Sequence, residues 1–382
     1  MSLPLPAEEP FSEPHDDLSE VADLVGFSNL DGVDDVVDIV DRPTLRASGP
    51  PEIVQLVPYL LGFHPSESLV LLAMRGRRIV VSVRYDLGAP LEMLQPWCQA
   101  ATKAGADHVV SLIYTEGIDG SPLPHRELSE QLRDLFESHA LDEVDAIAVS
   151  DGRWWSYRCG DPRCCPAEGT PIDANGVIAA SAVTEGMVAL PSRESLESEL
   201  DVDEMAADRV LTEMVTLMNA ELELPEPNER VGRADDWAQV RAFVRGARKG
   251  ADLTYEQAAR VLCALTDRSV RDATIGYLHT RPEPELRDAW RQLTRMAPVE
   301  WRAAPATLYA MWCYASGSGA RTNMGIDVAL AADPEYAMAL ILLDLQAAGL
   351  NPFEFIHEMA AEAKLVGRRI QRKRDPSGRR YR

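Results

Sequence analysis

Residues 68–87 read SLVLLAMRGRRIVVSVRYDL, and this stretch decides the fold class of the chain. Residues 68–74 form a short apolar run, and residues 77–87 alternate around β-branched side chains, so each segment predicts a β-strand. Arg75 and Gly76 join the two segments, and a glycine at this place favours a tight turn. The sequence therefore predicts an antiparallel hairpin that starts a sheet.

The segments around this hairpin alternate between helical and strand patterns. Residues 52–63 carry apolar side chains at helical spacing, and Pro58 inside them predicts a helix that is kinked or broken. Further helices are predicted at 91–106 and 125–141, and further strands at 107–115, 144–151 and 152–157. Strands separated by helices of this length imply right-handed crossovers and a mixed sheet with helices on its faces.

The chain changes character from Ile178 onward, where β-branched runs stop and Ala, Leu, Arg and Glu dominate. The spacing predicts helices near 176–187, 193–222, 234–249, 254–265, 267–279, 284–296, 303–315, 321–332, 335–348 and 352–366. Ala310, Ile326, Ala329 and Pro334 have the spacing of one tetratricopeptide unit, although a helical hairpin packed with small residues explains the same pattern.

The fold class that follows is α+β or α/β. We expect a mixed-sheet domain with flanking helices at residues 43–190, followed by an α-helical domain with a repeat-like segment at residues 191–366.

Charge is strongly polarised along the 382 residues, which have a formal net charge of −23. Residues 1–41 hold 12 acidic side chains and no Lys or Arg, whereas residues 364–382 hold nine basic side chains and one acid. Blocks of one charge sign are usually solvated. We therefore expect a disordered acidic arm at 1–42 and a disordered basic tail at 367–382.

Composition excludes several classes of protein. A hydrophobic fraction of 46% can bury a core, and six cysteines are too few for a disulfide scaffold. The N-terminus lacks a signal-peptide pattern, and no apolar run approaches the roughly 18 residues of a membrane span, so a cytoplasmic protein without membrane association is expected. The motifs of common hydrolases, dinucleotide enzymes and P-loop proteins are absent.

The sharpest local signal is CGDPRCC, which places Cys159, Cys164 and Cys165 within seven residues. Three interpretations stay open. The thiols can pack or staple a Gly/Pro loop, they can bind a metal such as Zn²⁺, or they can form a redox-active disulfide. Arg158 and Arg163 lie beside them and are expected to favour the thiolate form.

A zinc site needs four ligands, and this spacing is not that of a standard zinc knuckle. The fourth ligand would come from elsewhere in the sequence. The candidates are His64, His108, Asp161 and Cys98.

Two further groups are candidates for a ligand or surface site. His64 lies in the turn GFHPSES, and Arg84 and Asp86 lie on one face near the end of the second strand, where an ion pair is the commoner role. Trp155 shares a strand face with Tyr157 and precedes Arg158, so an exposed pair there could stack on a base or ring, whereas core packing is commoner.

Three strings together indicate a family. They are VPYLLGFHPSESLVLLAMRGRRIVVSVRYDL, YRCGDPRCCPAEGTP and YAMWCYASGSGARTNMGIDVALAADPEYAMALILLDL. In this order they resemble an actinobacterial family catalogued as domain of unknown function 4192, over roughly residues 45–360. The resemblance implies a bacterial intracellular protein and supplies no activity, substrate or site residues.

Three functional hypotheses follow from the residues. The first is a non-catalytic binding or adaptor protein with a protein partner or self-association through its helical half. The second is a metal-binding or redox-active enzyme or sensor that uses the cysteine cluster. The third is nucleic-acid contact through the basic tail alone, because the acidic body repels phosphate.

Overall fold

A computed structural model describes residues 49–76, 78–118, 122–173, 176–184, 187–222, 229–278, 283–347 and 352–372. The predicted acidic arm at 1–42 and the end of the predicted basic tail, residues 373–382, lie outside the described residues.

The described residues form a six-stranded mixed sheet in the order β2-β1-β3-β4-β5-β6. The strands are β1 Ser68–Arg75, β2 Arg78–Asp86, β3 His108–Tyr114, β4 Asp142–Ser150, β5 Arg153–Ser156 and β6 Thr170–Pro171. β3 and β4 run parallel, and the other neighbouring pairs are antiparallel. The predicted hairpin and the predicted mixed sheet are confirmed.

Four helices accompany the sheet. They are α1 Pro50–Leu61, α2 Gln95–Lys103, α3 Arg126–Ser138 and α4 Val177–Thr184. α1 continues through Pro58, so the predicted break does not occur. Gly62 ends this helix with a φ of 83°, and a Cβ atom there would lie 2.9 Å from Nη1 of Arg321, so glycine is required for both backbone and space.

The second half of the chain is helical, as predicted. Its helices are α5 Arg193–Glu197, α6 Glu204–Leu222, α7 Glu229–Ala247, α8 Tyr255–Ala264, α9 Arg268–Thr274, α10 Pro284–Met296, α11 Ala303–Ala315, α12 Gly319–Ala332, α13 Ala337–Ala347 and α14 Pro352–Arg372. The single helix predicted at 193–222 is interrupted, because Asp203 begins α6 by accepting a hydrogen bond from the Ala206 amide at 3.0 Å.

The last helix extends six residues beyond its predicted end. Ile370 is buried, and Gly367 approaches the ring of Trp237 so closely that a Cβ atom would lie 2.8 Å from it. The predicted disordered tail at 367–382 is therefore wrong for residues 367–372, because packing against α7 continues the helix.

The two faces of the sheet bury different clusters. Leu69 and Leu71 point to a core that includes side chains of α2 and α3. Val70 and Leu72 point to a second core that includes α1 and many side chains of the helical half. The alternation follows from the two-residue period of a strand. The predicted domain boundary between residues 190 and 191 stays a prediction.

Candidate functional site

The predicted cysteine cluster lies in the cysteine loop, residues 157–169, which leaves the end of β5 and returns as β6. The Tyr157 amide donates to the Ala146 carbonyl at 2.8 Å, which ties the start of the loop to β4. Nε1 of Trp155 donates to the Ala167 carbonyl at 3.0 Å, which ties the end of the loop to β5. The sheet therefore anchors both ends of the loop.

Hydrogen bonds fold the loop so that its three thiols meet. The Asp161 carbonyl accepts from the amides of Cys164 at 3.0 Å and Cys165 at 2.8 Å. The Cys159 amide donates to Oγ of Ser156 at 3.1 Å. The three Sγ atoms all lie within 4.8 Å of one another, so this group could hold a metal ion.

The thiols differ in acidity. A backbone hydrogen bond from Asp161 and a side-chain hydrogen bond from Cys165 lower the pKa of Cys159. Burial, followed by the hydrogen bond with Cys159, raises the pKa of Cys165 to about 12. Negative charge on the free cluster therefore concentrates on Cys159.

The two neighbouring arginines have other partners. Nε of Arg158 donates to the Glu143 carboxylate at 2.8 Å, and Arg158 also donates to the Ser129 carbonyl at 2.8 Å. Arg163 pairs with the Asp161 carboxylate at 2.9 Å. Hydrogen bonds within the loop lower the pKa of Cys159, and the expectation that the two arginines favour the thiolate stays a prediction.

Among the described residues, no candidate for a fourth ligand joins the three thiols. The Asp161 carboxylate pairs with Arg163, and Cys98 is buried in the core beside α3. His108 begins β3, and His64 lines a cavity at the far end of β4. The structure therefore brings Cys159, Cys164 and Cys165 together without His64.

Trp155 is a structural residue of the loop. Only 6% of it is exposed, so core packing, the commoner of its two predicted roles, is confirmed and the stacking surface is not present. Gly169 lies over its ring, where a Cβ atom would be 2.4 Å from the nearest ring atom, and Gly169 has a φ of 76°. The ring is buried under the loop, where it packs against Gly169 and donates a hydrogen bond from Nε1 to the Ala167 carbonyl.

Arg84 and Asp86 form an ion pair at 2.6 Å. Nε of Arg84 also donates to Oγ of Ser68 at 2.9 Å, because β1 begins where β2 ends in the antiparallel register. Neither residue of the pair lines the cavity that contains His64.

That cavity includes residues that the sequence patterns did not single out. Tyr114 ends β3, Ser150 ends β4, and Asp151 and Asp173 line the same space. The available signal was the placement of polar residues directly after two buried strands, which only the parallel pairing of those strands brings together.

A family model described as domain of unknown function (DUF4192) matches residues 50–353. The chain belongs to this family. No curated protein and no solved structure is similar enough to the chain to count as a match. Among the described helices, none combines the length and the apolar composition that crossing a membrane requires.

Proposed function

We propose that this member of the DUF4192 family is a zinc-binding protein. Thiolates of Cys159, Cys164 and Cys165 would bind Zn²⁺, with water or a ligand from outside the loop in the fourth position. The observation that supports this proposal is the approach of the three Sγ atoms to within 4.8 Å of one another. Thiolates at about 2.3 Å from a tetrahedral ion lie roughly 3.8 Å apart, so a small contraction completes the geometry.

The accessibility of the thiols and the attachment of the loop to the sheet also support zinc binding. Cys164 is exposed and the other two thiols are half-buried, so an ion can reach the loop from solvent. Both ends of the loop are tied to the sheet, which reduces the conformational entropy lost on metal binding. The three cysteines of the loop are free thiols, which suits the cytoplasmic location that we include in this proposal.

The test is metal content after purification under reducing conditions. We expect one zinc per chain by mass spectrometry of metals, with loss of the ion in Cys164→Ser and in Cys159→Ser. Cys263→Ser is the matched control, because Cys263 is a half-buried thiol in α8, outside the loop. Absence of zinc after reconstitution, or equal loss in the control, would overturn the proposal.

The redox interpretation makes a different prediction for the same samples. If the loop is a redox switch, alkylation and intact-mass measurement without reductant will show two protected thiols in the loop and no bound metal. A zinc-loaded loop instead regains all three thiols for alkylation when a chelator is added.

A second candidate function is self-association through α6. Leu211, Val215 and Met218 are 44%, 48% and 38% exposed, and their spacing places them on one stripe of the helix. A two-fold axis can pair an apolar stripe with its own copy, and exposed apolar surface of this kind commonly marks an interface. We propose a second copy of the chain as its partner.

Sedimentation equilibrium tests this candidate. Val215→Glu is expected to shift a dimer to monomer, whereas Val299→Glu, at another exposed valine, leaves the dimer unchanged. A monomer at every concentration, or a dimer in Val215→Glu, would contradict self-association. Nucleic-acid contact through the basic tail stays a prediction, because residues 373–382 lie outside the described residues.

A further inference from the structure

The described residues form a cavity of about 410 Å³ where β3 and β4 end. Tyr114 and Ser150, the last residues of these strands, both line it. Because β3 and β4 run parallel, their carboxyl ends meet at this edge, which is where open α/β sheets commonly bind ligands. The volume is within the usual range for a small-molecule site.

Carboxylates line the cavity from four separate segments. They belong to Glu67, Glu116, Asp151 and Asp173. Among the described lining residues there is no Lys or Arg, and His64 is the one basic side chain. A cleft lined by one sign of charge concentrates ions of the opposite sign, so this cavity favours a cation.

Two of these acids are held in place. Oε1 of Glu67 accepts from the Glu116 amide at 2.9 Å, and Oδ2 of Asp151 accepts from Oγ of Ser150 at 3.1 Å. The backbone of Glu67 and of Asp151 has φ values of 41° and 47°. Residues other than glycine rarely adopt a positive φ. The negative charge is therefore organised before a ligand arrives.

Another part of the cavity wall is apolar. It consists of Val54, Pro58, Val149, Ile172 and Ala179. Such a wall contributes binding free energy through contact with carbon atoms, which a bare metal ion cannot supply. The described carboxylates also form no group of three within metal-ligand reach, so the cavity does not suit an inorganic cation.

Tyr114 contributes to the cavity wall. This side chain is 93% buried, it lines the cavity, and its hydroxyl has no hydrogen-bond partner among the described residues. A buried polar group without a partner destabilises a protein, so such groups are rare unless a ligand or water satisfies them. Less than 1 Å² of the hydroxyl oxygen is accessible, so a ligand in the cavity does not reach it.

We propose that this cavity binds a small organic cation, an ammonium or guanidinium group on a compact apolar body. The cationic head lies among the four carboxylates that line the cavity. The body contacts the apolar wall and the ring of Tyr59, which also lines the cavity.

Calorimetric titration with phenethylamine tests the proposal, with 2-phenylethanol as the neutral probe of the same skeleton. We expect phenethylamine to bind at least about tenfold more tightly than the alcohol, and added salt to narrow the difference. Equal affinity for the two probes would overturn the proposal. Binding of Mg²⁺ or Ca²⁺ without binding of the amine would also overturn it.

Variants separate binding from folding. Asp151→Asn and Glu116→Gln are expected to weaken phenethylamine binding about tenfold each, whereas Glu130→Gln, on the exposed surface of α3, leaves it unchanged. Tyr114→Phe is expected to leave phenethylamine binding unchanged while thermal stability stays the same or rises, because the substitution removes an unsatisfied hydroxyl that a ligand does not reach. Amine affinity unchanged in both Asp151→Asn and Glu116→Gln would contradict the proposal.

Discussion

The cysteine loop starts beside Ala146 in the middle of β4, whereas the cavity lies at Ser150, roughly 13 Å further along the strand, and the two regions are built in different ways. The loop gathers three reactive side chains from seven consecutive residues, and hydrogen bonds within those residues arrange them. The cavity gathers its side chains from segments that the fold alone brings together. A local site depends on its own turn geometry, whereas a dispersed site depends on the register of the sheet.

The largest expected effect comes from removing the ion pair between Arg158 and Glu143, which supports the cysteine loop. Arg158→Ala leaves the Glu143 carboxylate, with a side chain only 2% exposed, without its ion-pair partner. We expect a loss of about 3 kcal/mol in the free energy of unfolding by urea, because removing one partner of a buried ion pair leaves the other charge buried and unpaired. Zinc retention should fall more than amine affinity in the folded fraction.

Arg163→Ala is the matched control for this change. Its side chain is 90% exposed and pairs with Asp161, so we expect no measurable change in the free energy of unfolding. Equal destabilisation by the two substitutions would show that the buried pair does not support the loop.

A smaller effect is expected from Gly169→Val, which tests whether the two regions are independent. The new side chain would meet the Trp155 ring and would have to adopt a φ of 76°, so we expect a loss of about 2 kcal/mol. Because the chain continues from Gly169 to Ile172 and Asp173 in the cavity wall, both zinc retention and amine affinity should fall.

Gly160→Ala is the control in the same loop, since no atom lies within 4 Å of the added Cβ. We expect a change within about 0.5 kcal/mol. Loss of zinc without any change in amine affinity in Gly169→Val would show that the two regions are uncoupled.

The smallest effect is expected in the helical half, away from both regions. Asp267 accepts from the amides of Ser269 and Val270 at the start of α9, so Asp267→Ala should lower stability by about 1 kcal/mol. Zinc retention and phenethylamine affinity should both be unchanged. Asp267→Asn keeps the capping oxygen, so it should lower stability by less than Asp267→Ala does.

The pH dependence of this effect has a defined sign. Partial burial raises the pKa of Asp267, but hydrogen bonds from Arg233 and from the two amides outweigh it, so the pKa lies below its ordinary value of 3.8. The contribution of the carboxylate is therefore present above that value and is lost as the pH falls through the lowered pKa. Unfolding measurements on Asp267→Ala should converge with those on the unchanged protein only in that acidic range.

Local signals in the sequence predicted much of the fold. The hairpin at 68–87 and the start of the helix predicted at 267–279 depend on neighbouring residues, and the structure confirms both. The end of α14 could not be predicted in this way, because its last turn depends on packing of Gly367 and Ile370 near residues distant in sequence.

The same distinction between local and distant contacts decides how far the candidate sites could be predicted. The meeting of the three thiols could be predicted because one short loop contains them. The role of Tyr114 could not, because a tyrosine at the end of a strand is ordinary until the sheet places an acidic cavity beside it. Trp155 was ambiguous for the same reason, since only the return of the loop over its ring buries it.

The order of the strands also has a consequence for aggregation. β6 ends one edge of the sheet with two residues, and Pro171 has no amide hydrogen to donate to a neighbouring chain. β2 ends the other edge with nine residues, which is long enough to template an added strand. Arg78, Arg84 and Asp86 place charge along that edge, and such charge opposes the edge-to-edge pairing through which exposed strands precipitate.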